Sequence, residues 1–155
     1  MNLRLAPSDL GKLWEEVFGM HKDELERRGV KISGDYGVRH PFVYLDAHQM
    51  RQVLLNLFRN ALDAVPDGGE IVIRLLIEDR HIFCSIADTG AGIPAKNADR
   101  VFDLFFTTKP KGTGLGLAIC KKIIQDHGGD IFIASTAGSG TTVTVKLPYK
   151  GITEK

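Results

Sequence analysis

Leu10, Leu13, Trp14, Val17, Phe18 and Leu25 recur at helical intervals, the signature of one apolar helix face. Ser8 or Asp9 can cap that helix, which is expected to run to about Arg28 and to stop at Gly29. Two short strands follow, Val30 to Ser33 and Phe42 to Leu45. Asp46 then caps a second helix from about Ala47 to Val65, with Met50, Val53, Leu54, Leu57, Ala61 and Leu62 as its core face. Pro66-Asp67-Gly68-Gly69 is a turn. Glu70 to Glu78 and His81 to Ala87 form a hairpin joined near Asp79-Arg80. Residues Asp88 to Gly112 make a long connection rich in Gly, Pro, Thr and Lys, with a short helix expected around Ala95 to Phe102. Connections of that length are uncommon in compact domains unless they serve a purpose, and a substrate lid is the usual one. A third helix starts near Gly114 and ends at His127-Gly128-Gly129. Asp130 to Ser135 and Thr141 to Leu147 close the sheet as a second hairpin, followed by a polar tail after Pro148. Strands joined mostly as hairpins, with three helices between them, predict an α+β two-layer sandwich rather than a doubly wound sheet.

Composition narrows this picture little. At 155 residues the chain fits one domain with a sizeable core. A net charge of +1, with acids and bases interspersed, argues against nucleic acid and membrane surfaces as partners. No apolar run is long enough to span a bilayer, and the N-terminal residues lack the apolar stretch of a signal peptide. The expectation is a cytoplasmic domain, or the cytoplasmic piece of a longer protein. Cys84 and Cys120 lie far apart within apolar patterns and have no metal-ligand spacing, so both are expected to be small buried hydrophobes.

Three clusters carry chemistry. Asn56, Asn60 and Asp63 sit at i, i+4 and i+7 and share one stripe of the second helix, away from its core face. An amide oxygen there is a hard ligand suited to magnesium, which keeps most of its waters and takes few protein ligands. Asp88 ends an apolar strand, directly before a turn that needs Gly90 and Gly92. A carboxylate in that position can accept a hydrogen bond from an exocyclic amine. Gly112-Thr113-Gly114-Leu115-Gly116 precedes the third helix. Its successive backbone N–H groups and the helix start make a phosphate nest. No Gly-Lys-Ser/Thr follows those glycines, and no strand stands immediately before them. The loop is therefore neither a P-loop nor a dinucleotide fingerprint.

The segments Asn56-Leu57-Phe58-Arg59-Asn60-Ala61-Leu62-Asp63-Ala64, Asp88-Thr89-Gly90-Ala91-Gly92-Ile93-Pro94, Gly112-Thr113-Gly114-Leu115-Gly116-Leu117 and Gly138-Ser139-Gly140-Thr141 occur in that order. The set resembles the ATP-binding catalytic domain of sensor histidine kinases, from about Ala6 to Pro148. The resemblance implies the GHKL-type fold, a mixed sheet of about five strands covered on one face by three helices, with ATP and Mg2+ as its ligands. It assigns magnesium to Asn60 and phosphate orientation to Asn56. Asp88 would read the adenine amino group, with Thr141 reaching the same edge directly or through water, and Ile93 and Leu117 would wall the ring. Gly90 and Gly92 would shape the turn, and Gly112, Thr113, Gly114, Leu115 and Gly116 would hold the phosphates. Residues 92–112 would be the ATP lid, from which Lys109 and Lys111 can approach the phosphates. Its Val101-Phe102-Asp103-Leu104-Phe105-Phe106-Thr107-Thr108-Lys109 segment resembles the family's phenylalanine box, with Leu104 in place of the usual proline. The Phe-Thr-Thr-Lys-Pro stretch is similar to the short-lid, nitrogen-regulation type. Many family members carry lysine at the position of Asp63, and Arg59 or the lid lysines are the candidates to compensate.

Relatives of this fold that hydrolyse ATP place a glutamate one helical turn before the magnesium asparagine. This chain has Asn56 there, and a neutral amide is no general base. Phosphoryl transfer to a protein side chain is therefore the expected reaction, driven by positioning and charge neutralisation. None of His21, His40, His48, His81 and His127 stands in a His-Glu/Asp-x-x-x-x-Pro setting. The acceptor histidine is thus expected on a separate dimerisation hairpin, with a response regulator receiver domain downstream and this domain a monomer. A serine kinase of the anti-sigma type and a nucleotide-gated interaction module without transfer are the alternatives.

Overall fold

The computed structural model describes residues 2–36, 42–90, 116–136 and 138–149. The sequence's central expectation holds: one mixed five-stranded sheet, in the order β2-β4-β5-β7-β6, carries helices over one face. Its strands are β2 (Lys31–Ser33), β4 (Glu70–Glu78), β5 (His81–Asp88), β6 (Asp130–Thr136) and β7 (Gly140–Pro148). β2 runs parallel to β4, and all other neighbours are antiparallel. Side chains alternate across the sheet. Ile71, Ile73, Ile82, Cys84, Ile86, Ile131, Val145 and Leu147 are buried toward the helices, whereas Leu76 and Phe132 are exposed on the other face.

Two features depart from the expectation. A strand not foreseen, β1 (Ala6–Asp9), pairs antiparallel with β3 (Phe42–Leu45) in a separate two-stranded sheet. The single helix expected to reach Arg28 is two, α1 (Leu10–Met20) and α2 (Lys22–Arg28). His21 interrupts them: its N–H turns back to the carbonyls of Phe18 and Gly19, and its Nδ1 lies 2.8 Å from the Val17 carbonyl oxygen. The described helices therefore number four, with α3 (Ala47–Ala64) and α4 (Gly116–Asp126).

The capping signals act as their chemistry requires. Asp9 accepts from the Lys12 N–H at 3.2 Å and Asp46 from the Gln49 N–H at 3.1 Å. Gly29 closes α2 in the left-handed conformation. Asp79 and Arg80 both take positive φ, which a two-residue turn between twisted strands demands. Under the sheet, Trp14 stacks on Phe18, meets Phe58 edge-on and donates its Nε1–H to Cys84 Sγ at 3.0 Å. Burial pushes both the Cys84 and Cys120 thiols up to about 12, so they pack as neutral side chains.

α2 has no fully buried residue; Leu25 packs partly buried against the core, and charge adds to the hold. Arg59 on α3 donates from both terminal nitrogens to Glu24, at 2.8 Å each, and also bonds Asp63. Arg28 joins the network through Glu24 and Asp67, and it donates to the carbonyls of Leu62 and Val65 at the end of α3. The Arg59 hydrogen bond, reinforced by charge, draws Glu24 from 4.5 down to about 2 despite opposing desolvation. A depressed carboxyl contributes stability above its unfolded value and loses it as pH falls through the folded one. Glu24→Gln should therefore be less stable than the parent at neutral pH. The gap should close between pH 4.5 and about 2, which urea unfolding at a series of pH values will measure. A gap that persists at pH 2 would assign Glu24's contribution to packing.

Candidate functional site

The end of the sheet where β5 finishes and β7 begins gathers three polar side chains in one row. Register sets Asp88 opposite Thr141, and Thr141 opposite Ser135. Asp88 has the parity of Ile82, Cys84 and Ile86, and Thr141 that of Val143, Val145 and Leu147. The row therefore lies on the helix side of the sheet. Ser135 Oγ and Thr141 Oγ1 are 2.9 Å apart, and Ser135 Oγ donates to the Gly140 carbonyl at 3.2 Å.

Two glycines let the backbone close around this row. A Cβ on Gly140, whose φ is +94°, would collide with the carbonyl oxygen of Asp88. A Cβ on Gly90 would collide with the carbonyl of Ala64, the last residue of α3. Gly90 thus seats the Asp88 turn against the end of α3. Asn60 stands one turn before Ala64 on the same helix, and Asn56 one turn earlier, both half-buried. The Asn56 side chain is in hydrogen-bond contact with the Cys120 thiol, so it faces the first turns of α4. Gly116 opens the described part of α4, and Leu117 behind it packs partly buried against the core.

Asp88 is the electrostatically distinctive group of this corner. Burial pushes its carboxyl above the ordinary range, opposed by hydrogen bonds from the Gly90 N–H, at 2.8 Å, and the Thr141 backbone. It is a half-buried acceptor at the end of the sheet.

The structure places Asp88, Gly90 and Thr141 at the end of the sheet, with Gly90 against the end of the helix that bears Asn56 and Asn60, and Asn56 toward the helix whose described part begins with Gly116 and Leu117. Gly92, Ile93, Lys109, Lys111, Gly112, Thr113, Gly114 and Leu115, with the 92–112 segment and the short helix expected in it, lie outside the described residues. Arg59 donates to Glu24 and Asp63. Sequence reasoning missed Ser135. Its only signal was its distance of six residues from Thr141 across a glycine turn, a pair that hairpin register makes neighbours.

Fold and site define a nucleotide-binding α+β domain. Residues 45–151 match the family described as "Histidine kinase-, DNA gyrase B-, and HSP90-like ATPase", and the chain belongs to that family. Among curated relatives, the sensor histidine kinase WalK of Bacillus subtilis (strain 168) is 43% identical over 120 residues, 72% of this chain and 20% of WalK. Among solved structures, the nucleotide-free catalytic domain of the histidine kinase ThkA superposes with a TM-score of 0.86 at 31% identity, covering 94% of this chain and 96% of that one. ThkA has also been solved in complex with the response regulator protein TrrA. Full-length ShkA in complex with AMPPNP superposes at 0.88 with 27% identity, covering 99% of this chain and 33% of ShkA. This chain spans about a fifth of WalK's length.

Proposed function

We propose that this chain is the catalytic unit of a sensor histidine kinase, binding ATP with magnesium and passing the γ-phosphate to a histidine on a separate helical hairpin. The observation that carries the proposal is the half-buried Asp88, aimed by strand register into the corner that Gly90 closes against the Asn60-bearing helix. That corner offers an anionic acceptor for the adenine amino group at one side. At the other it offers amides and a helix start for the phosphates.

A magnesium ion fits the donor set in character. Asn60 would supply one neutral oxygen from a half-buried helix position, which suits an ion that takes few protein ligands. When bound, magnesium neutralises the charge that develops on the phosphates. The chain's own residues do the rest: Asp88 and Thr141 orient the base, Asn56 orients phosphate oxygens, and the glycine-rich loop before Gly116 supplies backbone donors. With an amide at residue 56, nothing in that position activates water, so transfer to an incoming side chain is favoured over hydrolysis.

The 92–112 segment is assigned as a short lid, with Lys109 and Lys111 toward the phosphates. The partners follow from this role: the hairpin that carries the acceptor histidine, and a response regulator downstream. The domain itself is proposed to be monomeric and to work in the cytoplasm. No helix among the described residues is long and apolar enough to cross a membrane.

The test uses γ-labelled ATP with the chain alone and with the His-bearing hairpin of its parent kinase added in trans. Acid-labile, base-stable label should appear on the hairpin only. Label on the isolated chain, or rapid phosphate release without the hairpin, would overturn the reading.

A further inference from the structure

We infer that Ser135 is a positioning residue for base selection: it holds the Thr141 hydroxyl as a hydrogen-bond acceptor beside the Asp88 carboxylate. The inference rests on the nucleotide reading above and deepens it. A serine hydroxyl has one hydrogen. Ser135 Oγ donates it to the Gly140 carbonyl at 3.2 Å. With that hydrogen on the Gly140 carbonyl, the 2.9 Å contact between Ser135 Oγ and Thr141 Oγ1 uses the Thr141 hydrogen, with Ser135 accepting. What Thr141 Oγ1 presents beyond that contact is lone pairs. Directly opposite Thr141 in the register lies Asp88, an acceptor when ionised.

Two acceptors side by side favour a purine edge that donates. The 6-amino group of adenine does so, whereas inosine and guanine present a carbonyl oxygen there. A lone Thr141 would not discriminate in this way, because a hydroxyl free to rotate donates as readily as it accepts. The backbone holds the arrangement. Gly140 sits at φ +94° with no room for a Cβ against the Asp88 carbonyl, so the accepting carbonyl of residue 140 and the Asp88 turn are locked to each other.

The experiment measures the affinities of ATP and ITP, each with magnesium, by displacement of a fluorescent ATP analogue. The proteins are the parent chain and the variants Ser135→Ala, Ser135→Thr, Thr141→Val and the Ser135→Ala/Thr141→Val pair. Ser135→Ala should cut the ATP-to-ITP preference about tenfold, because the released hydroxyl can turn to donate to the inosine oxygen. Ser135→Thr keeps the bridging hydroxyl and should keep the preference. In the Thr141→Val background, Ser135→Ala should change the preference less than about twofold, since the residue acts through Thr141. An unchanged preference in Ser135→Ala overturns the inference, as does an equal effect with Thr141 absent. Should Ser135→Ala fail to fold, loss of the preference in the folded Ser135→Thr variant would overturn it as well. A parent chain that binds neither nucleotide would instead sink the nucleotide reading on which it stands.

Discussion

Asp88→Asn should lose ATP affinity by about 1.5–3 kcal/mol, the worth of a hydrogen bond to a charged group, while the nucleotide-free domain melts no lower than the parent. The two halves of this result have one cause. Burial holds the Asp88 carboxyl above its ordinary range, so the ionised side chain is disfavoured in the fold. For an acid raised in this way, the cost is present at neutral pH and disappears as pH falls through the raised value. An amide of the same shape carries no such cost, and its oxygen still accepts from Gly90. The same titration predicts that ATP affinity in the parent weakens on acidification, starting above the ordinary carboxylate range. Calorimetry across pH, paired with thermal melts, measures both. Equal ATP affinity in the variant would remove Asp88 from the site.

Asn60→Ala should abolish magnesium-dependent binding and slow transfer to the hairpin at least about a hundredfold, near 2.7 kcal/mol. The fold should survive with a change within about 1 kcal/mol, because Asn60 lies off the stripe of Met50, Val53, Leu54, Leu57, Ala61 and Leu62 that fills the core. Titrating magnesium at constant ATP separates the two effects. Magnesium dependence that survives, or a variant that unfolds, would make Asn60 a structural residue.

The parts of this molecule governed by local chemistry were legible in the sequence. Asp46 before an amphipathic run, Gly29 after another, and Asp79-Arg80 between alternating strands each act within a few residues of themselves. Asp88 and Thr141 were legible because a strand end beside a glycine turn is a place where side chains leave the core. What stayed hidden depends on distant partners. β1 is a four-residue strand containing Pro7, and only its pairing with β3 makes it a strand. The break at His21 interrupts an apolar rhythm that Leu25 continues on the far side. The Glu24–Arg59 clasp joins residues 35 apart, and nothing near Arg59 distinguishes a phosphate contact from an ion pair. Arg59 also explains why Asp63 is tolerated where a cation would be expected, since the two neutralise each other one turn apart.

The alternation that buries Ile82, Cys84 and Ile86 also sets Asp88 toward the candidate site, since all four lie on one side of a single strand. A shift of β5 against β7 by one residue would turn every side chain over. On the proposed reading, base choice and folding fidelity are then one property measured at two ends of a ruler. A chain that mispairs here does not keep a weakened form of the proposed site; it loses the row of Asp88, Thr141 and Ser135 together with the core.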